Sequence, residues 1–160
     1  MSLWAEFLRW AHVIGAAVLF GTGAGIAFFM LMAQRTGRAD LVAHVAGTVV
    51  LADLIFTATA IVLQPVTGAL LAREIGWNLG EGWIVLSLAL YVVTGAFWLP
   101  VVWMQMRMRD LAREASLLGT ALPPAYHHLF WWWFAFGFPA FAAVLAIFWL
   151  MIAKPQFTIF

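Results

Sequence analysis

Four long stretches of this chain, at about 10–33, 41–72, 83–106 and 125–153, hold a single Asp, Glu, Lys or Arg between them, Asp53. Each exceeds the ~20 apolar residues needed to cross a ~30 Å hydrocarbon core. Backbone N–H and C=O groups in lipid have to be satisfied within their own segment, so these stretches are helices and not strands. Composition agrees. Apolar residues make up 66% of the chain and charged residues 9%, where an average globular chain carries about 25% charge. A soluble domain of 160 residues has too little interior to hide that much apolar surface. A lipid solvent excludes nucleic-acid modules, cytosolic nucleotide enzymes and disordered tails. With no cysteine, disulfides, thiolate metal sites and thiol catalysis are excluded too.

The breaks between the stretches are short. Arg35-Thr36-Gly37-Arg38 ends the first, Arg73-Glu74 and a Gly76-to-Gly82 loop end the second, and Pro123-Pro124 opens the fourth, which Lys154-Pro155 closes. Short connections make neighbouring helices antiparallel, so the expected fold is all-α: one integral membrane domain over 1–160, an up-and-down four-helix bundle. The first stretch has no small-residue cleavage site and reads as a retained span. Arg35, Arg38, Arg107, Arg109 and Arg113 lie on one side, against Arg9, Arg73 and Lys154 on the other. That bias favours N- and C-termini outside the cytoplasm. Trp4, Trp10, Trp77, Trp83 and Trp149 are then expected in the outer aromatic belt, with Trp103 and Trp131–Trp133 toward the inner one.

Polar and small residues of membrane helices normally face other helices. At 100° per residue, Asp53, Thr57, Ala60, Gln64 and Thr67 share one face of the second helix, and Ser87, Tyr91, Thr94, Trp98 and Gln105 one face of the third. The matching stripes are His12, Gly15, Ala16, Leu19, Gly23 and Met30 on the first helix, and His128, Ala135, Pro139, Ala142, Ala146 and Ala153 on the fourth. At ~1.5 Å of rise per residue, Asp53 and Thr94 fall near the bilayer centre. Gln64, Ser87 and His12 fall roughly 10–15 Å toward the outer side, and His44 and His128 roughly 18 Å toward the inner side. His12, Gln64, Ser87 and Tyr91 therefore converge in depth from three helices.

Each candidate has two readings. His12 is either a haem-iron ligand through a neutral imidazole nitrogen, with Gly15 and Ala16 leaving room for a flat macrocycle, or an interfacial histidine capped by a backbone carbonyl. Asp53 sits where a charge costs about 2.5–3.5 kcal/mol; it is either a proton relay or a neutral carboxyl bonded to Thr57 or a neighbouring helix. His44 is half a turn out of phase with Asp53 and reads as interfacial, while His128, on the small-residue face, is a second candidate ligand. Gly21-Thr22-Gly23-Ala24-Gly25 resembles a phosphate-binding glycine loop but follows no strand, and close helix packing explains it better. Trp131–Trp133 with Phe130 and Phe134 reads as a lipid anchor, and Arg107–Arg113 as a solvated inner helix end.

Leu8-Arg9-Trp10-Ala11-His12-Val13, Gln64-Pro65-Val66-Thr67-Gly68, Trp98-Leu99-Pro100-Val101-Val102-Trp103, Pro123-Pro124-Ala125-Tyr126-His127 and Lys154-Pro155 resemble a bacterial family of uncharacterised four-helix integral membrane proteins, domain of unknown function 2269. More distantly the chain is similar to HemJ-type protoporphyrinogen oxidases and CopD-like membrane proteins. HemJ proteins carry b-type haem and oxidise protoporphyrinogen; His12 matches their early first-span histidine, and Lys154-Pro155 part of their ending. Ser87 stands where they have an essential lysine, and Gly137-Phe138-Pro139 where they have Asn-Glu before a proline.

These readings give one leading expectation: a membrane protein binding b-type haem or a porphyrin for redox or electron-transfer chemistry. His12 would be the axial ligand, Gln64, Ser87 and Tyr91 would line the pocket, and Asp53 would relay a proton. If it is an enzyme, the resemblance implies a membrane oxidoreductase of the protoporphyrinogen-oxidase type. Two alternatives stay open: a non-catalytic subunit or assembly factor of a membrane complex, and a small transporter using Asp53. The expected surroundings are the lipid bilayer of a bacterial inner membrane, with no nucleic acid, and either a homo-oligomer or a larger membrane complex.

Overall fold

The structure, a computed structural model, describes residues 2–156, and it is built from helices α1 (Leu3–Thr36), α2 (Ala39–Glu74), α3 (Gly82–Leu118) and α4 (Pro124–Ala153). Each is 30 to 37 residues long and apolar enough to cross a membrane. At ~1.5 Å per residue they outreach a ~30 Å hydrocarbon core, so their ends extend into the headgroup layers. The helix boundaries follow local chemistry. The Ser2 side chain accepts a hydrogen bond from the Ala5 N–H at 3.1 Å and caps α1. Gly37 (φ 65°) and Gly119 (φ 64°) end α1 and α3 in the left-handed conformation that glycine adopts without a Cβ clash. Pro124 starts α4, where its missing N–H leaves no partner unsatisfied.

The bundle is closed at one end and split at the other. Toward the Gly37 and Gly119 turns, all four helices meet in one core: Met30 from α1, Val42 and Ala46 from α2, Met104 and Met108 from α3, Tyr126, Phe130 and Trp133 from α4. Toward the chain termini, the second half of α2 packs on α1, and α3 packs on α4. A small cluster of Ala72, Trp83, Ile84 and Leu150 stitches the extreme end. There Lys154 Nζ lies 5.4 Å from the Trp77 ring centroid and 5.9 Å from that of Trp83. Between core and stitch the α1–α2 pair and the α3–α4 pair diverge.

Three expectations about faces are corrected. Along α4, His128, Ala135, Ala142 and Ala153 are exposed to the outside, while Tyr126, Phe130, Trp133, Val144 and Leu150 are buried. The closed end needs volume, which alanines cannot fill, and lipid accepts alanine at no cost. Trp83 and Trp133 are buried in the two clusters instead of standing in the aromatic belts, whereas Trp4, Trp10, Trp103, Trp131, Trp132 and Trp149 are exposed. Gly21 and Gly23 do not mark close packing: a Cβ on either would meet no atom within 4 Å. The close approaches on α1 and α2 are Gly15, under the Gln64 amide, Gly47, where a Cβ would come within 3.2 Å of the Arg113 guanidinium, and Gly68, where a Cβ would come within 3.0 Å of His12 Cε1.

Candidate functional site

The divergence of the two helix pairs leaves a cavity of about 480 Å³ between all four helices. Its floor rests on the closed core, and two irregularities of α2 shape one wall. The first is a π-helical turn over Asp53–Thr57, the kind of local widening that inserts an extra residue and re-aims side chains. It carries Asp53 (4% exposed) and Thr57 inward at the floor. The second is Pro65, inside the helix. Proline has no N–H for the carbonyl four residues earlier, Ile61, and the Tyr91 hydroxyl of α3 donates to that carbonyl instead. Tyr91→Phe is expected to lower stability by about 0.5–1.5 kcal/mol, measured by unfolding in mixed micelles. Pro65→Ala in the same chain should restore part of the loss, because the alanine N–H can bond the carbonyl again; simple additivity would refute the pairing.

Asp53 is the polar centre of the cavity. Trp98 Nε1 donates to its Oδ1 at 3.4 Å. With its amide nitrogen toward the carboxyl, Gln105 donates to Oδ2 at 2.9 Å, while its oxygen accepts from Trp133 Nε1 at 3.3 Å. One side chain thus ties α2 to α3 and α4. Thr57 faces the same carboxyl, with its hydroxyl at the edge of hydrogen-bond reach. Around this cluster the walls are aromatic, from Phe20, Tyr91, Phe134, Phe138, Phe141 and Phe148. No Lys, Arg or His among the described residues lines the cavity.

The side toward lipid lies between α1 and α4, which touch each other least of the neighbouring helices. Phe20 of α1 bridges that gap by stacking on Phe141 (centroids 4.7 Å apart) and leaning on Phe148 (5.6 Å). Phe138 lines the cavity and is still 64% exposed, so the cavity communicates with the bilayer beside these rings.

The residues singled out by depth separate into two groups. Ala16, Asp53, Gln64 and Tyr91 line the cavity. His12, Gly15, Ser87 and His128 do not. The His12 ring lies in the α1–α2 seam, with Nδ1 3.0 Å from Thr67 Oγ1 and Cε1 against Gly68. Gly15 underlies Gln64, whose amide donates to the His12 carbonyl at 2.9 Å. Ser87 is buried and donates to the Trp83 carbonyl at 2.7 Å. His128, on the outer face of α4, accepts from Trp132 Nε1 at 3.1 Å. A haem in this cavity ligated by His12 does not fit the arrangement, since the imidazole is held within the seam and, among the described residues, the walls supply no other imidazole or thioether ligand. The hydrogen-bonded cluster around Asp53 was partly legible: the inward stripe of the third helix contains Trp98 and Gln105. Trp133 was not, because its face follows from core volume and not from polarity.

The sequence profile of the family described as "Predicted integral membrane protein (DUF2269)" matches residues 6–155. Nothing matches significantly among curated proteins or among solved structures.

Proposed function

The chain belongs to this DUF2269 family of predicted integral membrane proteins, and from that premise we propose that it captures a small amphiphile from the bilayer and holds it between its four helices. The observation that carries the reading is the cavity: about 480 Å³ of space with aromatic walls, one polar cluster at its floor and an opening toward lipid. Ligand sites are commonly concave, mostly apolar and of roughly 300–1,000 Å³, with a few polar groups that orient the ligand. Here the apolar body would lie among the phenylalanines and the polar end would meet Asp53, Thr57 and Gln105. Native mass spectrometry of protein released from nanodiscs tests it. The expected result is a retained non-phospholipid mass; a bare protein across repeated preparations overturns the reading.

The redox reading with b-type haem or a porphyrin is the more specific version of the same idea, and the aromatic walls favour a flat macrocycle. Its weak point is ligation by His12, which would have to leave Thr67 and cross the seam. A reduced-minus-oxidised spectrum after haem titration decides it. A Soret band lost in His12→Ala and kept in His44→Ala supports axial ligation; no band in the wild type removes haem from the reading and leaves capture of other amphiphiles standing.

A further inference from the structure

We infer that the ligand of this cavity is a lipophilic organic cation, a quaternary or protonated nitrogen or a phosphonium bearing apolar arms, paired with the Asp53 carboxylate. The inference rests on the capture reading and adds the charge of what is captured.

Three observations lead to it. The first concerns the carboxyl itself. A buried carboxylate is stable only when paired or hydrogen-bonded. Asp53 has two N–H donors, from Trp98 and Gln105, and N–H donors serve the ionised form. No basic side chain among the described residues lines the cavity with it. A cation paired with it would therefore come from a ligand. Second, Thr57 is 6% exposed, faces both Asp53 and the cavity, and its hydroxyl closes no bond of good geometry, having only the Asp53 carboxyl nearby. A buried hydroxyl without a bond is costly, and the N–H of a protonated nitrogen on a ligand would satisfy its oxygen.

The third observation is the wall chemistry. The rings of Phe20, Trp98, Trp133, Phe134 and Phe138 border the cavity. Aromatic faces attract cations, by about 2 kcal/mol or more where water is excluded. The same site repels anions: a fatty acid or phospholipid phosphate would sit against Asp53 with no cation to meet it. A neutral hydrophobe would fill the cavity but use neither the carboxylate nor the ring faces. The route beside Phe20 and Phe141 suits a cation already partitioned into the bilayer, since the opening faces lipid.

The test uses the full chain in nanodiscs, with empty nanodiscs as the blank, and equilibrium dialysis of two probes of like shape: tetraphenylphosphonium and neutral tetraphenylsilane. The expected result is that the cation binds the wild-type protein about 10- to 100-fold more tightly than the neutral probe, the range expected of a cation held against water-excluded aromatic faces beside a carboxylate. Asp53→Asn should erase that preference while leaving binding of the silane unchanged within about threefold. Trp98→Phe, which keeps a ring and removes the N–H donor, should reduce the preference part of the way, and it serves if Asp53→Asn fails to fold. Equal binding of the two probes by the wild-type protein overturns the cation assignment and leaves the cavity as a site for neutral amphiphiles. Binding of neither probe above the blank overturns the assignment together with the capture reading beneath it.

Discussion

Phe130→Ala is expected to cost the folded bundle about 3 kcal/mol, measured as a shift in equilibrium unfolding in mixed micelles. The ring is 0% exposed and lies where all four helices meet, with Tyr126, Trp133 and Phe134 around it. In a soluble core such a truncation costs about 3–5 kcal/mol, part of it lost transfer from water and part the cavity left behind. Lipid is as apolar as the side chain, so the transfer part shrinks, and the lower end of the range is expected. The lost dispersion contacts remain. Phe138→Ala is the control: two turns further along α4 and 64% exposed, it should shift stability by less than about 0.5 kcal/mol. Equal effects at the two positions would mean that the turn end is no more tightly packed than the open half.

Gly23→Phe combined with Gly137→Phe is expected to abolish ligand retention, weakening it at least about 100-fold by filling the space the ligand needs. Both glycines border the cavity, and a Cβ on either meets nothing within 4 Å. The added Cβ atoms therefore meet open space, from which the rings can extend into the cavity. Phenylalanine ranks above glycine in helix propensity by a few tenths of a kcal/mol, so the double variant should melt near the wild-type temperature. Loss of retention without loss of stability separates occupancy of the cavity from integrity of the fold. Full retention by this stable variant would place the bound molecule elsewhere. The same substitution at Gly68, where a Cβ approaches His12 to 3.0 Å, should destabilise the α1–α2 seam instead, which distinguishes a glycine that makes room from one that permits contact.

Polarity told the inward faces of α1, α2 and α3 correctly, because a hydroxyl, amide or carboxyl in lipid has to find a partner wherever the helix turns it. Asp53, Thr57, Gln64, Tyr91 and Gln105 all point inward for that reason. The fourth helix has little polarity to read, and there the small-residue rule chose the wrong side. Depth alone was also insufficient: His12, Gln64, Ser87 and Tyr91 share a level, yet only Gln64 and Tyr91 reach the cavity. Rotation of each helix about its axis, altered in α2 by the π-turn at Asp53, separates residues that rise per residue places together.

What the residues determined by themselves is the solvent and the architecture. Runs longer than the hydrocarbon is thick, with backbone groups that lipid cannot satisfy, leave four antiparallel helices as the outcome. Tertiary structure alone decided that the bundle closes at the turns and splits toward the termini, and so that a cavity exists with Asp53 at its floor. That choice depends on how large side chains from four helices fit together: Phe130, Tyr126 and Met108 fill one end, while glycines leave the other open. Fit is a property of the assembled faces, with no trace in the composition or period of any single helix.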